Sequence, residues 1–161
     1  RTFGKIIICR QCNIDRYLPT LGLEPFSDDF TTQNLKEKMQ GKKAPIKTVL
    51  LDQSIIAGLG NIYVCEILYR ARINPLLPAG KLKQKDIVEI IQQTKQVLSE
   101  AILQGGTSIS DYRKIDDKTG SFQNFLRVYK KKCCPLSHAI KRIKQSGRST
   151  YYCPICQKNK S

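Results

Sequence analysis

The chain has 161 residues, enough for one compact domain or for one domain plus a small module. Its 28 Lys+Arg against 13 Asp+Glu give a formal charge of +15, which points to a polyanionic partner, most often nucleic acid, more than to a surface tuned for solubility alone. No apolar run approaches the roughly 20 residues of a membrane span and no signal-peptide pattern is visible, so neither a membrane protein nor a secreted one is expected.

The opening "RTFGKIIIC" lacks an initiator Met and holds an apolar run, Ile6–Cys9, that reads as one buried strand. It is followed by the Pro/Gly punctuation of "LPTLGLEPF", and the chain reads as a piece of a longer protein. Helical signals begin in "SDDFTTQNLKEKMQG", with Thr31 or Thr32 as cap and Gly41 as stop. Pro45 opens a second helix in "PIKTVLLD", a position where its missing N–H is harmless. In "QSIIAGLGNIYVCEILYRARINP", Gly58 and Gly60 break the pattern and Asn61 is expected to cap a helix running to about Ala71. Ile62, Cys65, Leu68 and Tyr69 fall on one of its faces. The longest helix is "KDIVEIIQQTKQVLSEAILQGG", with Ile87, Ile90, Ile91, Thr94, Val97, Leu98, Ala101 and Ile102 at helical spacing and Gly105 as its stop. "TSISDYRKIDDKTGSFQNF" reads as a surface loop. After Leu126 the composition turns to Lys/Arg/Cys, with no acidic residue from Arg127 to Lys160.

Two stretches can carry chemistry. In "IAGLGNIY" the glycines permit a sharp turn, and the free N–H groups at the start of the next helix suit a phosphate, with Lys47 in reach of the same anion. At the end, Cys134-x2-Ser137-x15-Cys153-x2-Cys156 has the spacing of a two-knuckle zinc ribbon with one ligand changed. His138, Cys133, or Ser137 through a water could complete it, imidazole being the best replacement. The pair Cys9 and Cys12 is a weaker alternative partner for Cys153 and Cys156. Filling by His138 or by water leaves the metal more loosely bound either way, so Ser137→Cys is expected to tighten zinc binding and improve DNA binding. Seven cysteines, an odd number ending in CxxC, fit a metal in a reducing cytoplasm better than a disulfide framework. "KRIKQSGRST" reads as a β-hairpin that turns at Ser146–Gly147 and presents Arg148 at its tip.

These motifs, in this order, resemble the formamidopyrimidine-DNA glycosylase / endonuclease VIII family, over essentially the whole chain. "RTFG" looks like the end of the family's N-terminal β-sandwich, and "GLGNIYVCEILYRARINP" like its helix–two-turn–helix signature. "GGTSISDY…DDKTGSF" looks like its lesion-capping region and "GRSTYYCPICQ" like its zinc-finger end, while "DDKTGSFQNFLRVY" is closer to the formamidopyrimidine branch. The resemblance implies that Arg1 and Phe3 fill the gap left by an extruded base. It makes Lys47 and Asn61 phosphate contacts, Lys42 a less certain DNA contact, and Glu66 a support of the catalytic centre. Arg148 becomes the finger arginine that grips a phosphate and is assigned a catalytic part in the final elimination. The family's nucleophilic proline and the glutamate and lysine that serve it belong to an N-terminal domain that these residues are not expected to include.

The expected fold is mainly α. A remnant of the β-sandwich and a linker occupy residues 1–26, a helix–two-turn–helix domain with a lesion-capping loop residues 27–126, and a hairpin zinc finger residues 127–161. The expected function is base-excision repair as a bifunctional glycosylase/AP lyase for oxidised purines, this chain supplying the DNA-binding half and being inactive alone. A DNA-binding remnant without catalysis and an RNA-binding zinc ribbon are the alternatives. One structural Zn2+ held by Cys134, Cys153, Cys156 and a fourth ligand, damaged duplex DNA as partner, a monomer, and a bacterial cytoplasmic location complete the expectation.

Overall fold

The computed structural model describes Ile8 and residues 20–106 and 121–158. Among the described residues four α-helices and one hairpin follow in chain order, with short 3-10 turns at Ala79–Lys81 and Phe122–Phe125: α1 Thr32–Met39, α2 Ile46–Leu50, α3 Asn61–Arg70, α4 Gln84–Leu103, β1 Lys141–Gln145 and β2 Arg148–Tyr152. The fold is mainly helical with a two-stranded antiparallel sheet, as the sequence implies. Most of the 1–26 segment lies outside the described residues, including the expected strand. Its one described member, Ile8, is 97 % exposed.

Local chemistry explains the helix ends. Thr31 caps α1 by accepting from the Asn34 N–H at 3.2 Å. Pro45 sits one position earlier than expected, as the N-cap of α2, where its extended backbone leads into the helix. Two tight turns separate α2 from α3, closed by Gln53, which donates to the Leu59 carbonyl at 3.1 Å and accepts from the Gly58 N–H at 2.8 Å. Asn61 is not the N-cap of α3. Gly60 takes that place without a side-chain bond, because the Asn61 amide is engaged elsewhere. At the far end of α4, the N–H groups of Gly105 and Gly106 reach back to the Ile102 and Ala101 carbonyls at 3.0 and 2.8 Å, which stops the helix as expected.

Ile87, Ile90, Thr94, Val97 and Ala101 form the buried stripe of α4. Ile102 does not belong to it and is 68 % exposed, because the 100° step after Ala101 carries it off the stripe. This stripe packs on α1 and α3 over a core that includes Leu35, Ile46, Leu50, Ile67 and Phe122. Arg70 of α3 clamps Glu100 of α4 with two bonds of 2.8 and 2.7 Å. Residues 22–23 lie along 53–57, and a side chain at Gly22 would fall on the Ile55 backbone.

A second, smaller core holds the hairpin module to α3: Cys65 and Tyr69 of the helix meet Val128, Cys134 and Cys153. Beside it, the fully buried Glu66 carboxylate accepts three consecutive backbone N–H groups, from Arg127 at 2.8 Å and from Val128 and Tyr129 at 2.9 Å. Hydrogen bonds to a charged acceptor are about twice as strong as neutral ones. Glu66→Gln replaces one of the two accepting oxygens with an NH2 donor, leaving at least one of these N–H groups unpaired at a cost of about 1–3 kcal/mol. We expect a lower denaturation midpoint for Glu66→Gln than for a Glu37→Gln control on exposed α1; equal midpoints would mean that the clamp contributes nothing.

Candidate nucleic-acid interface and metal centre

The hairpin is the arm that builds both sites. β1 and β2 pair in register from Lys141↔Tyr152 to Gln145↔Arg148. Ser146 (φ 47°) and Gly147 (φ 77°) make the two-residue turn, where both central residues need positive φ. Inward Thr150 and Tyr152 are buried, and Gln145 reaches the Pro75 carbonyl at 3.3 Å. The tip therefore lies over α2 and the start of α3, where Thr48 and Ser146 hydroxyls meet at 3.4 Å.

At that point two expected residues converge on one atom. Asn61 Nδ2 donates to the Ser149 carbonyl at 3.0 Å, and Lys47 Nζ approaches the same oxygen at 3.5 Å. Lys47 is wholly buried, so it is covered by the hairpin rather than open to an anion. Burial lowers its pKa, the Cys65 sulfur opposes that shift, and the Arg148 guanidinium adds to it. Arg148 adjoins Ser149 at the start of β2, so its positive charge faces the same neighbourhood as Lys47. The Asn61 Oδ1 is buried without a partner. No acidic residue lies in the first turn of α3, so the positive end of that ten-residue helix is uncompensated beside Arg148. Arg148 itself is exposed at the start of β2.

Other expected residues lie apart. Glu66 serves the 127–129 backbone as described above. Lys42 is half-buried in the bend after α1, its carbonyl taken by the Gly80 N–H at 2.9 Å, and its charge is felt by Asp52. Arg1, Phe3, Cys9, Cys12 and the loop from residue 107 to 120 lie outside the described residues.

The metal question resolves clearly. Cys134, His138, Cys153 and Cys156 bring their ligand atoms within 4.8 Å of one another. Cys134 Sγ lies 3.7 Å from His138 Nδ1 and 3.9 Å from Cys156 Sγ, and His138 Nδ1 lies 3.4 Å from Cys156 Sγ. Ligand atoms around one tetrahedral zinc, at bond lengths of about 2.0–2.3 Å, sit roughly 3.5–3.8 Å apart, so the residues fit that ion. Among the described residues, His138 is the one whose ring nitrogen is placed to complete the set with the three sulfurs. Ser137 occupies the left-handed turn position (φ 60°), is exposed, and gives its N–H to the Cys134 carbonyl at 2.8 Å. Cys133 is exposed and pairs its backbone with Ala139 instead. With His138 Nδ1 at that corner, Ser137→Cys is now expected to leave zinc binding unchanged rather than tighten it, an outcome that a zinc titration decides.

Burial works against ionisation of Cys134, yet hydrogen bonds from Tyr69 and from the backbone of His138 and Leu136 outweigh it and hold the thiol down at about 6. Burial, followed by the Cys153 and Cys134 sulfurs, pushes Cys156 up to about 11. A divalent cation at the centre removes that crowding of like charge. Sequence reasoning missed two residues here. Ser149 supplies the carbonyl on which the interface converges, and nothing in a serine within a strand signals a backbone role. Gln157 is buried, accepts the Cys153 N–H at 2.8 Å and donates to the Ile73 carbonyl at 2.8 Å, tying the second knuckle to the helical body.

Comparison with known proteins gives these sites a context. Residues 21–113 match the family description "Formamidopyrimidine-DNA glycosylase H2TH domain", and residues 137–159 match "Zinc finger found in FPG and IleRS". The chain is 42% identical to the formamidopyrimidine-DNA glycosylase of Dinoroseobacter shibae over 98% of its own length and 58% of that protein's. It superposes on the MutM (Fpg) protein of Thermus thermophilus with a TM-score of 0.82 at 36% identity, covering 88% of this chain and 55% of that one. On Lactococcus lactis Fpg in complex with abasic-site DNA the TM-score is 0.83 at 36% identity, covering 92% and 56%. The chain thus spans somewhat more than half the length of the relatives it matches.

Zinc-edge absorption should report three sulfurs and one nitrogen. His138→Ala should weaken zinc binding by at least tenfold while Ser137→Cys and Cys133→Ser leave it unchanged. Four sulfurs around the metal, or a gain in affinity on Ser137→Cys, would overturn the assignment of His138.

Proposed function

The chain belongs to the formamidopyrimidine-DNA glycosylase family, and from that premise we propose that it is the part of a base-excision repair enzyme that grips damaged duplex DNA. The observation that carries the reading is the convergence of Asn61, Lys47 and Arg148 around Ser149, beside the open N-terminus of α3, in a chain of net charge +15. Backbone N–H groups, an amide and a guanidinium gathered at a helix N-terminus are a phosphate site. Arg148, exposed, takes the phosphate directly and assists the last elimination; Asn61 fixes the hairpin and the anion together. Lys47 acts by its charge and by holding the hairpin, and touches a phosphate only if the hairpin shifts. Glu66 is a positioning residue that sets the finger on α3. Lys42, Arg1 and Phe3 are further DNA contacts in this proposal.

The substrates we infer are oxidised purines, formamidopyrimidine and 8-oxoguanine, in double-stranded DNA. An amine attacks C1′ of the damaged nucleotide, the base leaves, and the resulting imine permits β,δ-elimination of the flanking phosphates. The zinc ion is structural: it staples the hairpin that carries Arg148. We infer further that the chain is a monomer of the bacterial cytoplasm; no helix among the described residues is long and apolar enough to cross a membrane. A chain that binds without cutting would use the same grip, so cleavage and binding are tested separately.

The 161-residue chain should bind an abasic-site duplex more tightly than an RNA hairpin and give no borohydride-trapped adduct, because the Lys47 amine is covered and engaged with Ser149. A trapped adduct at Lys47 would overturn the view that these residues only grip. Asn61→Ala should weaken that binding at least tenfold, against no change for Lys36→Ala on the exposed side of α1. Equal effects of the two would reduce the turn before α3 to a connector.

A further inference from the structure

The hairpin carries positive charge on two faces, and the interface above uses one of them. Opposed residues of an antiparallel pair share a face, and successive residues alternate. Ile143–Thr150 and Lys141–Tyr152 therefore face the helical body with Gln145–Arg148, whereas Arg142–Tyr151 and Lys144–Ser149 share the outer face. Arg142 and Lys144 are both exposed there, and residues 127–158 contain no Asp or Glu to neutralise them.

Arg142 is not a free surface side chain. Its Nε and Nη2 donate to the Ser149 hydroxyl at 3.3 and 3.1 Å, and its guanidinium carbon lies 5.9 Å from the centre of the Tyr151 ring. Two of its five N–H groups are used in this way, which leaves a pre-oriented fork for a ligand. A shallow cleft of about 440 Å³ lies between Arg142, Lys144, Gly147 and Ser149. Ser149 joins the two faces: its carbonyl takes Asn61 and Lys47 on one side, and its hydroxyl takes Arg142 on the other.

We infer that this outer face is a second phosphate-binding surface, where Arg142 and Lys144 take the sugar-phosphate backbone of the strand opposite the one held at Asn61 and Arg148. The inference rests on the DNA-binding reading and deepens it. A two-stranded ribbon can lie in a groove of the duplex, where phosphates flank it on both sides. A planar guanidinium fixed by a hydroxyl and a ring presents its remaining N–H groups in a fork that a phosphate can accept bidentately.

Each phosphate contact contributes about 0.9 to the slope of log K against log salt, so removing one changes the salt response by roughly three- to fourfold between 50 and 200 mM. The experiment measures binding of the full chain to an abasic-site duplex over that range. Arg142→Ser and Lys144→Ser should each reduce the slope by about one, the double variant by about two, and Lys95→Ser on exposed α4 not at all. Arg142→Lys should keep most of the slope, and zinc content with circular dichroism confirms that each variant is folded. Unchanged slopes in Arg142→Ser and Lys144→Ser, or weaker binding at an unchanged slope, would overturn the second surface while the first interface stands. A wild-type chain that binds with no salt dependence would instead remove the DNA-binding reading itself, and the inference with it.

Discussion

A buried carboxylate that cannot reach water must find its donors inside the protein, and Glu66 finds three in a row. Successive N–H groups converge on one anion only when the backbone folds into a concave nest, so residues 127–129 are obliged to take that shape. The nest decides where the chain goes next. It lays Val128 against Cys65 and Tyr69 and delivers Cys134 to the far end of α3. It is one of the ties that fix the hairpin on the helix whose N-terminus it overhangs, beside the Asn61–Ser149 bond. An isolated buried charge is expensive, which is why this arrangement admits so few alternatives.

The finger is strapped along α3 at both ends. The hairpin tip is held at Asn61 through Ser149 and at Pro75 through Gln145, and the second knuckle is held at Ile73 through Gln157. Ten residues of helix span roughly 14 Å between those ends, so the arm is fixed by length as well as by contact. The metal supplies what this small module lacks, since a two-stranded hairpin does not hold itself in water. The backbone at the tip is held in place by the Asn61–Ser149 and Gln145–Pro75 bonds.

Much of this was legible in the residues. The helix periodicity of α4, the Gly105 stop, the Thr31 cap and the Ser146–Gly147 turn all follow from local chemistry and all appear where local chemistry puts them. Asn61 looked like a cap because asparagine before a helix usually is one, but a partner 88 residues away claimed its amide. At the metal centre donor chemistry was the better guide: Ser137 stands at the cysteine spacing, but the imidazole of His138 is the group that lies among the three sulfurs. Glu66, Ser149 and Gln157 act through backbone atoms distant in sequence, and no spacing rule sees a carbonyl.

Gln157 has one more consequence. Because it binds both the Cys153 amide and the Ile73 carbonyl, the knuckle and the helical body gain or lose order together. A ligand that binds only the native state adds RT ln(1 + [L]/Kd) to its stability, about 2.7 kcal/mol at a hundredfold excess over Kd. Free zinc is such a ligand here, and its chemical potential is communicated through Gln157 to helices that never meet the ion. The melting of α1 and α4 is then a gauge of zinc activity in the surrounding solution.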